Sequence, residues 1–123
     1  MKTEVIEIES GMIECPVMND QRYVAIKPVC EMLGIGFPTQ TEVVKSHPLF
    51  ADNIRLIRCM ARDGKLREML CLPLKRFFLW LGGIHPNKVK EESKEAVLRN
   101  QILICDSLYE KFIGVYESTP LNK

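Results

Sequence analysis

The side chains that most often carry chemistry are few in this chain. Histidine occurs at His47 and His85, each beside a proline, without a carboxylate or cysteine at the spacing of a catalytic triad or metal cage. No serine lies in a nucleophile elbow, and the glycines near residues 34–36 and 82–83 lack the setting of a nucleotide-binding loop. The sequence therefore predicts no catalytic residue, no metal site and no cofactor, and a protein that is not an enzyme.

The cysteines are predicted to be buried thiols without chemical function. They are Cys15, Cys30, Cys59, Cys71 and Cys105. Their number is odd, no two share the close spacing of a zinc or redox pair, and each lies among apolar residues, where a free cysteine packs as a small hydrophobic side chain. Free thiols, an N-terminus without the apolar run of a signal peptide and no stretch long enough to span a bilayer predict a cytoplasmic protein.

Basic residues are concentrated in the middle of the chain. Residues 54–90 have nine basic and two acidic side chains, a net charge of +7, whereas residues 1–20 have one against five, a net charge of −4. The basic side chains are Arg55, Arg58, Arg62, Lys65, Arg67, Lys75, Arg76, Lys88 and Lys90. If they converge, they form a surface for the phosphates of DNA or for an acidic protein; otherwise they are solvated charges, partly neutralised by the acidic segments. Charge alone leaves both interpretations open.

Hydrophobic periodicity predicts an α+β domain that must position these side chains. An N-terminal β-meander and a central hairpin are expected to pack with short helices and one long C-terminal helix. The predicted strands are residues 3–8, 12–18, 22–26, 54–60 and 66–72, and the predicted helices are residues 27–33, 38–46, 74–81 and 91–113. Pro16 should confine the second strand to an edge or a bulge. We expect residues 1–113 to form one domain and residues 114–123 a flexible tail.

Two elements have a second interpretation. The short helices joined by a glycine turn have the outline of a helix-turn-helix motif, whose second helix would offer Gln40, Thr41 and Lys45 to DNA, but two helices packed on a sheet would look the same. The C-terminal helix carries an apolar seam that is predicted to pack on the sheet. The seam consists of Leu98, Ile102, Cys105, Tyr109 and Phe112, and the additional apolar residues Ile104 and Leu108 leave a homodimer through this helix open.

Three ordered blocks of the sequence resemble the phage antirepressor N-terminal domain, a relative of the Bro-N domain. The first block is residues 22–30 followed by Leu33-Gly34-Ile35 and Gln40. The second is residues 69–74 followed by Trp80-Leu81 and Gly83-Ile84, and the third is residues 87–90 followed by Leu98 and Gln101. The resemblance covers about residues 4–109.

The resemblance implies a regulatory domain of phages and prophages, present in the cytoplasm of the bacterial host. Its partner is expected to be a phage repressor or DNA, with a protein-interaction module that makes no nucleic-acid contact as the alternative. Family members commonly continue into a second, C-terminal domain. Because the family supplies no agreed functional residues, the candidate site remains the basic set chosen from charge, with Gln40, Thr41 and Lys45 as the weaker alternative.

Overall fold

The strand and helix patterns of the sequence correspond closely to the elements of the computed structural model, which describes residues 2–60 and 63–114 and, at Lys88, the backbone alone. The strands are β1 (Lys2–Ile8), β2 (Gly11–Met18), β3 (Gln21–Ala25), β4 (Arg55–Met60) and β5 (Leu66–Pro73). The helices are α1 (Ile26–Leu33), α2 (Phe37–Ser46), α3 (Leu74–Gly82) and α4 (Lys94–Phe112), with 3₁₀ turns at Pro86–Lys88 and Glu91–Ser93. The predicted α+β class is confirmed, while Arg62 and residues 115–123 of the predicted tail lie outside the described residues.

The strands form one antiparallel sheet in the order β1-β2-β3-β5-β4, so β1 and β4 are the edges of the described sheet. Pro16 therefore lies in an interior strand, and the prediction of an edge position is wrong. The ladder between β2 and β3 consists of Val17 with Arg22 and Met18 with Gln21. It stops next to Pro16, which has no N–H to donate, so the proline shortens a ladder instead of marking an edge.

Helices α1, α3 and α4 pack on one side of the sheet, which we call the helix side. Val24 of β3 and Leu72 of β5 lie in the same buried cluster as Phe77 of α3 and Ile104 of α4. The amide of Gln101 in α4 donates to the carbonyls at the end of α3, at 2.9 Å and 2.8 Å. These bonds, to Leu81 in the last turn of α3 and to Ile84 just after it, hold α4 against the end of α3.

The buried side of α4 differs from the predicted seam. Its buried side chains are Val97, Asn100, Ile104 and Leu108. Leu98 and Ile102 of the predicted seam are instead 50% and 63% exposed. The helix is rotated about its axis relative to the predicted orientation. The Asn100 amide donates to the Met32 carbonyl of α1 at 2.9 Å, and this bond brings a polar residue to the buried side. The seam prediction is wrong at Leu98 and Ile102, and these two residues, not Ile104 and Leu108, are the exposed apolar surface of the helix.

The other side of the sheet is buried because the sheet curls and brings distant strands together. β2 contacts β4 although β3 and β5 separate them in the sheet order. A second buried cluster lies on this concave side and includes Tyr23, Ala25, Ile57, Cys59 and Cys71. Strong curling lets a sheet bury both of its faces with helices on one side only.

Candidate partner-binding surface

The hairpin formed by β4 and β5 exposes large aliphatic side chains on the helix side of the sheet. Leu56, Met60 and Leu66 are 65%, 45% and 57% exposed, whereas Leu70 at the base of the hairpin is 7% exposed. They share one side because side chains two residues apart on a strand point the same way and cross-strand partners face alike. The cross-strand pairs on this side are Leu56 with Leu70, Arg58 with Glu68, and Met60 with Leu66. We call Leu56, Arg58, Met60, Leu66 and Glu68 the hairpin face.

The exposure of the hairpin face is specific to one side of β4. Ile57 and Cys59 alternate with the exposed residues and are 2% and 0% exposed, because they point into the concave cluster. β4 thus carries apolar side chains on both sides, and those on the concave side alone are buried. Large aliphatic side chains exposed on one side of a hairpin are candidates for contact with another molecule.

A groove of about 500 Å³ runs from the base of the hairpin face to α2. It is lined by Phe37, Thr41, Lys45, Ile54, Arg55, Leu56, Glu68 and Leu70. Phe37, Thr41 and Lys45 are four residues apart, so one side of α2 forms the wall opposite the strands. The groove extends the apolar surface of the hairpin face and adds charged groups of both signs at its rim.

The predicted basic residues of β4 lie on different sides of the sheet. Arg58 is exposed on the hairpin face, and its cross-strand neighbour is the acidic Glu68. Arg55 is three residues away, so its side chain leaves the strand on the other side. Its guanidinium donates to the Ile54 carbonyl at 2.8 Å, which keeps it beside the start of the strand. The two arginines thus have different surroundings: Arg58 lies opposite Glu68, and Arg55 is held at the start of β4, where it lines the groove.

The basic residues near the hairpin turn are partly neutralised. Arg67 forms an exposed ion pair with Asp63, and the hydrogen bond from Arg67 holds the pKa of that carboxyl below its ordinary value. Lys65 is exposed beside Gly64, whose φ of 84° closes the turn. Arg62, the third predicted cation of this region, lies outside the described residues.

Two of the remaining predicted cations, Lys75 and Arg76, lie at the opposite end of β5. Lys75 and Arg76 follow Pro73 in the first turn of α3, and seven strand steps separate Pro73 from Leu66, about 23 Å at 3.3 Å per residue. Lys90 is exposed in the connector after α3, where the backbone of Lys88 also lies. The predicted basic set is thus distributed over three places: the hairpin, the start of α3 and the connector.

The hairpin face, its apolar groove and its mixed charges have the character of a surface that contacts another macromolecule. A family model described as the P22_AR N-terminal domain matches residues 5–116, nearly the whole chain. The chain belongs to this family. No curated protein and no solved structure matches it significantly. The family confirms the resemblance to phage antirepressors and supports a regulatory role in a phage.

The residues of the helix-turn-helix alternative are not all presented to solvent in this P22_AR N-terminal domain. Gln40 accepts a hydrogen bond from the indole N–H of the buried Trp80 at 2.9 Å, so its side chain is directed at α3. Thr41 lines the groove beside the hairpin, and its hydroxyl is buried without a hydrogen-bond partner among the described residues. Lys45 is exposed in the last turn of α2. Of the three predicted side chains, Gln40 is therefore occupied by a contact within the domain, and the hydroxyl of Thr41 is buried.

Both histidines line a second groove, of about 900 Å³, between α2, the end of α3 and the connector. The Nδ1 atom of His47 accepts from the Leu49 N–H at 3.1 Å, and that of His85 accepts from the Asn87 N–H at 3.2 Å. These bonds are local turn contacts, the role that polar side chains commonly have in loops. Among the described residues no group of three or more metal-ligating side chains is close enough to hold an ion, and no described helix is long and apolar enough to cross a membrane.

The predicted burial of the cysteines is confirmed for Cys15, Cys30, Cys59 and Cys71 of this P22_AR N-terminal domain. Four of the five are buried, and Cys105 is half-buried. Burial raises the pKa of the Cys15 and Cys30 thiols to about 12, because desolvation disfavours the thiolate. A thiol in this state is a poor nucleophile and a poor metal ligand.

The sequence reasoning missed the aliphatic residues of the hairpin face. Leu56 and Met60 lie among apolar residues of a kind typical of a strand buried on both sides. The sequence therefore predicted the basic residues of this strand, and not its aliphatic ones, as candidate contact residues. Arg58, between Leu56 and Met60, was the available signal: a charged residue at i±2 from two aliphatic residues indicates that this side of the strand meets solvent.

Proposed function

We propose that this domain is a non-enzymatic regulatory module that binds a phage repressor protein through the hairpin face. The single observation that carries the proposal is the exposure of Leu56, Met60 and Leu66 on one side of a two-stranded hairpin. Covering them contributes roughly 3 kcal/mol, taking about 2 kcal/mol for each side chain and the exposed fraction of each. Aliphatic side chains that alternate with charges of both signs suit contact with a protein, whereas a surface for phosphates needs several cations close together.

The repressor is the partner favoured by family membership together with this surface. Antirepressors act by binding a repressor, and the domain offers an apolar patch whose nearest charges, Arg58 and Glu68, are of opposite sign. Such a patch selects a protein with complementary shape and charge, and its affinity depends little on salt.

The test is the affinity of the purified domain for each repressor encoded by the phage that carries the chain, measured by biolayer interferometry. Leu56→Ser should weaken binding about tenfold or more, the loss typical of a central interface residue. Ile102→Ser is the matched control, because Ile102 is 63% exposed and lies on α4, away from the hairpin. The proposal fails if Leu56→Ser leaves the affinity unchanged, or if Ile102→Ser weakens binding and thereby places the interface on α4.

DNA binding is the second candidate function, favoured by exposed cations that have no ion pair. Arg55, Arg58, Lys65, Lys75 and Lys90 form no ion pair with another described residue. If six or more of the predicted cations engaged phosphates, affinity would fall by about 10³-fold or more between 50 and 200 mM salt. A mobility-shift series with duplex DNA therefore separates the candidates: steep salt dependence favours DNA, and repressor binding that persists at both concentrations favours the protein partner.

A further inference from the structure

β4 is an edge strand of the described sheet: it is hydrogen-bonded to β5 and to no other described strand, while β2 approaches it across the concave side. About half of the N–H and C=O groups of an edge strand point away from its neighbour and can pair with another strand. Edge strands with exposed aliphatic side chains are suited to β-addition, in which an extended segment of a partner joins the sheet. The hairpin face therefore adjoins a row of backbone donors and acceptors as well as an apolar patch.

The side chains of β4 define what the added strand must carry. On the helix side they alternate in the order Leu56, Arg58 and Met60. The strand that already pairs with β4 meets them with an aliphatic, an acidic and an aliphatic residue, Leu70, Glu68 and Leu66. Direct cross-strand pairs of this kind are the stabilising units of a sheet. A strand added at the free edge of β4 can complement Leu56, Arg58 and Met60 with the same order of aliphatic, acidic and aliphatic side chains.

We propose that the free edge of β4 receives an extended segment of the protein partner in which one acidic residue is flanked, two residues away on each side, by aliphatic residues. The proposal deepens the proposed function, on which it rests, by naming the segment that a repressor would present. The acidic side chain lies opposite Arg58, and the two aliphatic ones lie opposite Leu56 and Met60.

A second copy of this chain fits the edge less well. Antiparallel pairing of two β4 strands that brings each Leu56 opposite Met60 of the other copy places Arg58 directly opposite Arg58, and like charges in that position are destabilising. The other described edge, β1, has the order Glu4, Ile6 and Ile8 on its helix side. Neither edge of a second copy presents an acidic residue between two aliphatic ones.

The test uses two labelled peptides, Thr-Val-Thr-Glu-Thr-Val-Thr and the same peptide with lysine at the centre, whose binding to the intact domain is measured by fluorescence anisotropy. The wild-type domain should bind the glutamate peptide about two- to tenfold more tightly, the range of one cross-strand charge pair. Arg58→Glu should reverse the preference. Lys75→Glu makes the same change of net charge in α3, which is beyond the far end of β5, and should leave the preference as it is in the wild type.

Equal affinities of the two peptides for the wild type would overturn the proposal, as would no binding of either peptide at millimolar concentration. A preference that changes equally in Arg58→Glu and Lys75→Glu would also overturn it, because it would reflect net charge and not the β4 row. The repressor assay separates this inference from the proposed function. If repressor binding depends on Leu56 while the peptides show no preference, the repressor binds at the hairpin face but does not add a strand to β4.

Discussion

Leu56 and Leu70 allow a matched test of whether the hairpin face is open to solvent in the free domain. They are the same residue type, face each other across β4 and β5, and differ in exposure, 65% against 7%. Truncating a buried leucine to alanine costs about 2–5 kcal/mol, because lost transfer energy and an unfilled cavity add. Leu70→Ala should therefore lower the free energy of unfolding by about 3 kcal/mol. Leu56 buries only about a third of its side chain and leaves no enclosed cavity, so Leu56→Ala should cost about 0.5–1 kcal/mol.

Urea unfolding followed by far-UV circular dichroism measures both losses. With a slope of about 1.5 kcal/mol per M, the midpoint should fall by about 2 M in Leu70→Ala and by about 0.5 M in Leu56→Ala. Equal losses in the two variants would refute the reasoning, because Leu56 would then be buried without a partner. Repeating the Leu56→Ala comparison at tenfold lower protein concentration shows whether such burial comes from self-association, since only an association makes stability concentration-dependent.

Three further predictions concern the interior. Gln40→Leu should cost about 1–3 kcal/mol in thermal unfolding, because it leaves the indole N–H of the buried Trp80 without its acceptor; a variant as stable as the wild type would contradict this role. Thr41→Val should be neutral or stabilising by up to about 1 kcal/mol, because it removes a buried hydroxyl without a described partner; a clear loss of stability in the same melt would reveal a partner. The Cys15 and Cys30 thiols, with pKa raised to about 12, stay protonated in the folded domain after the unfolded chain has ionised, so stability should be constant below about pH 9 and fall between about pH 9 and 12; unchanged urea midpoints across that window would count against their burial.

Local rules were sufficient to predict the elements and several of their ends. α1 ends at Gly34, which has a φ of 72° that other residues adopt at a cost, and the sequence predicted this end from the glycine alone. The turn at Asn19-Asp20 has φ values of 53° and 61°, as two residues that tolerate this conformation allow. Family membership was likewise predictable, because it rests on the order of short blocks of residues.

The properties that depend on contacts between distant residues were not predictable. The rotation of α4 follows from bonds of Asn100 to Met32 and Ser10, 68 and 90 residues away, and no periodicity within the helix contains that information. The exposure of Leu56 and Met60 follows from the strand order, which makes β4 an edge that α1, α3 and α4 leave uncovered. Charge counting likewise could not show that Arg67 is paired with Asp63, because the pair depends on the conformation of the hairpin turn.

Amide hydrogen exchange of the domain with and without its repressor is the most direct measurement of the central claim. A segment added to β4 hydrogen-bonds to its outer N–H groups, so exchange should slow within residues 55–60 and stay unchanged in the exposed turn of α4 that contains Leu98 and Ile102. Protection confined to α4 or to the groove that contains His47 and His85, with β4 exchanging as in the free domain, would contradict the assignment of the hairpin as the partner-binding surface.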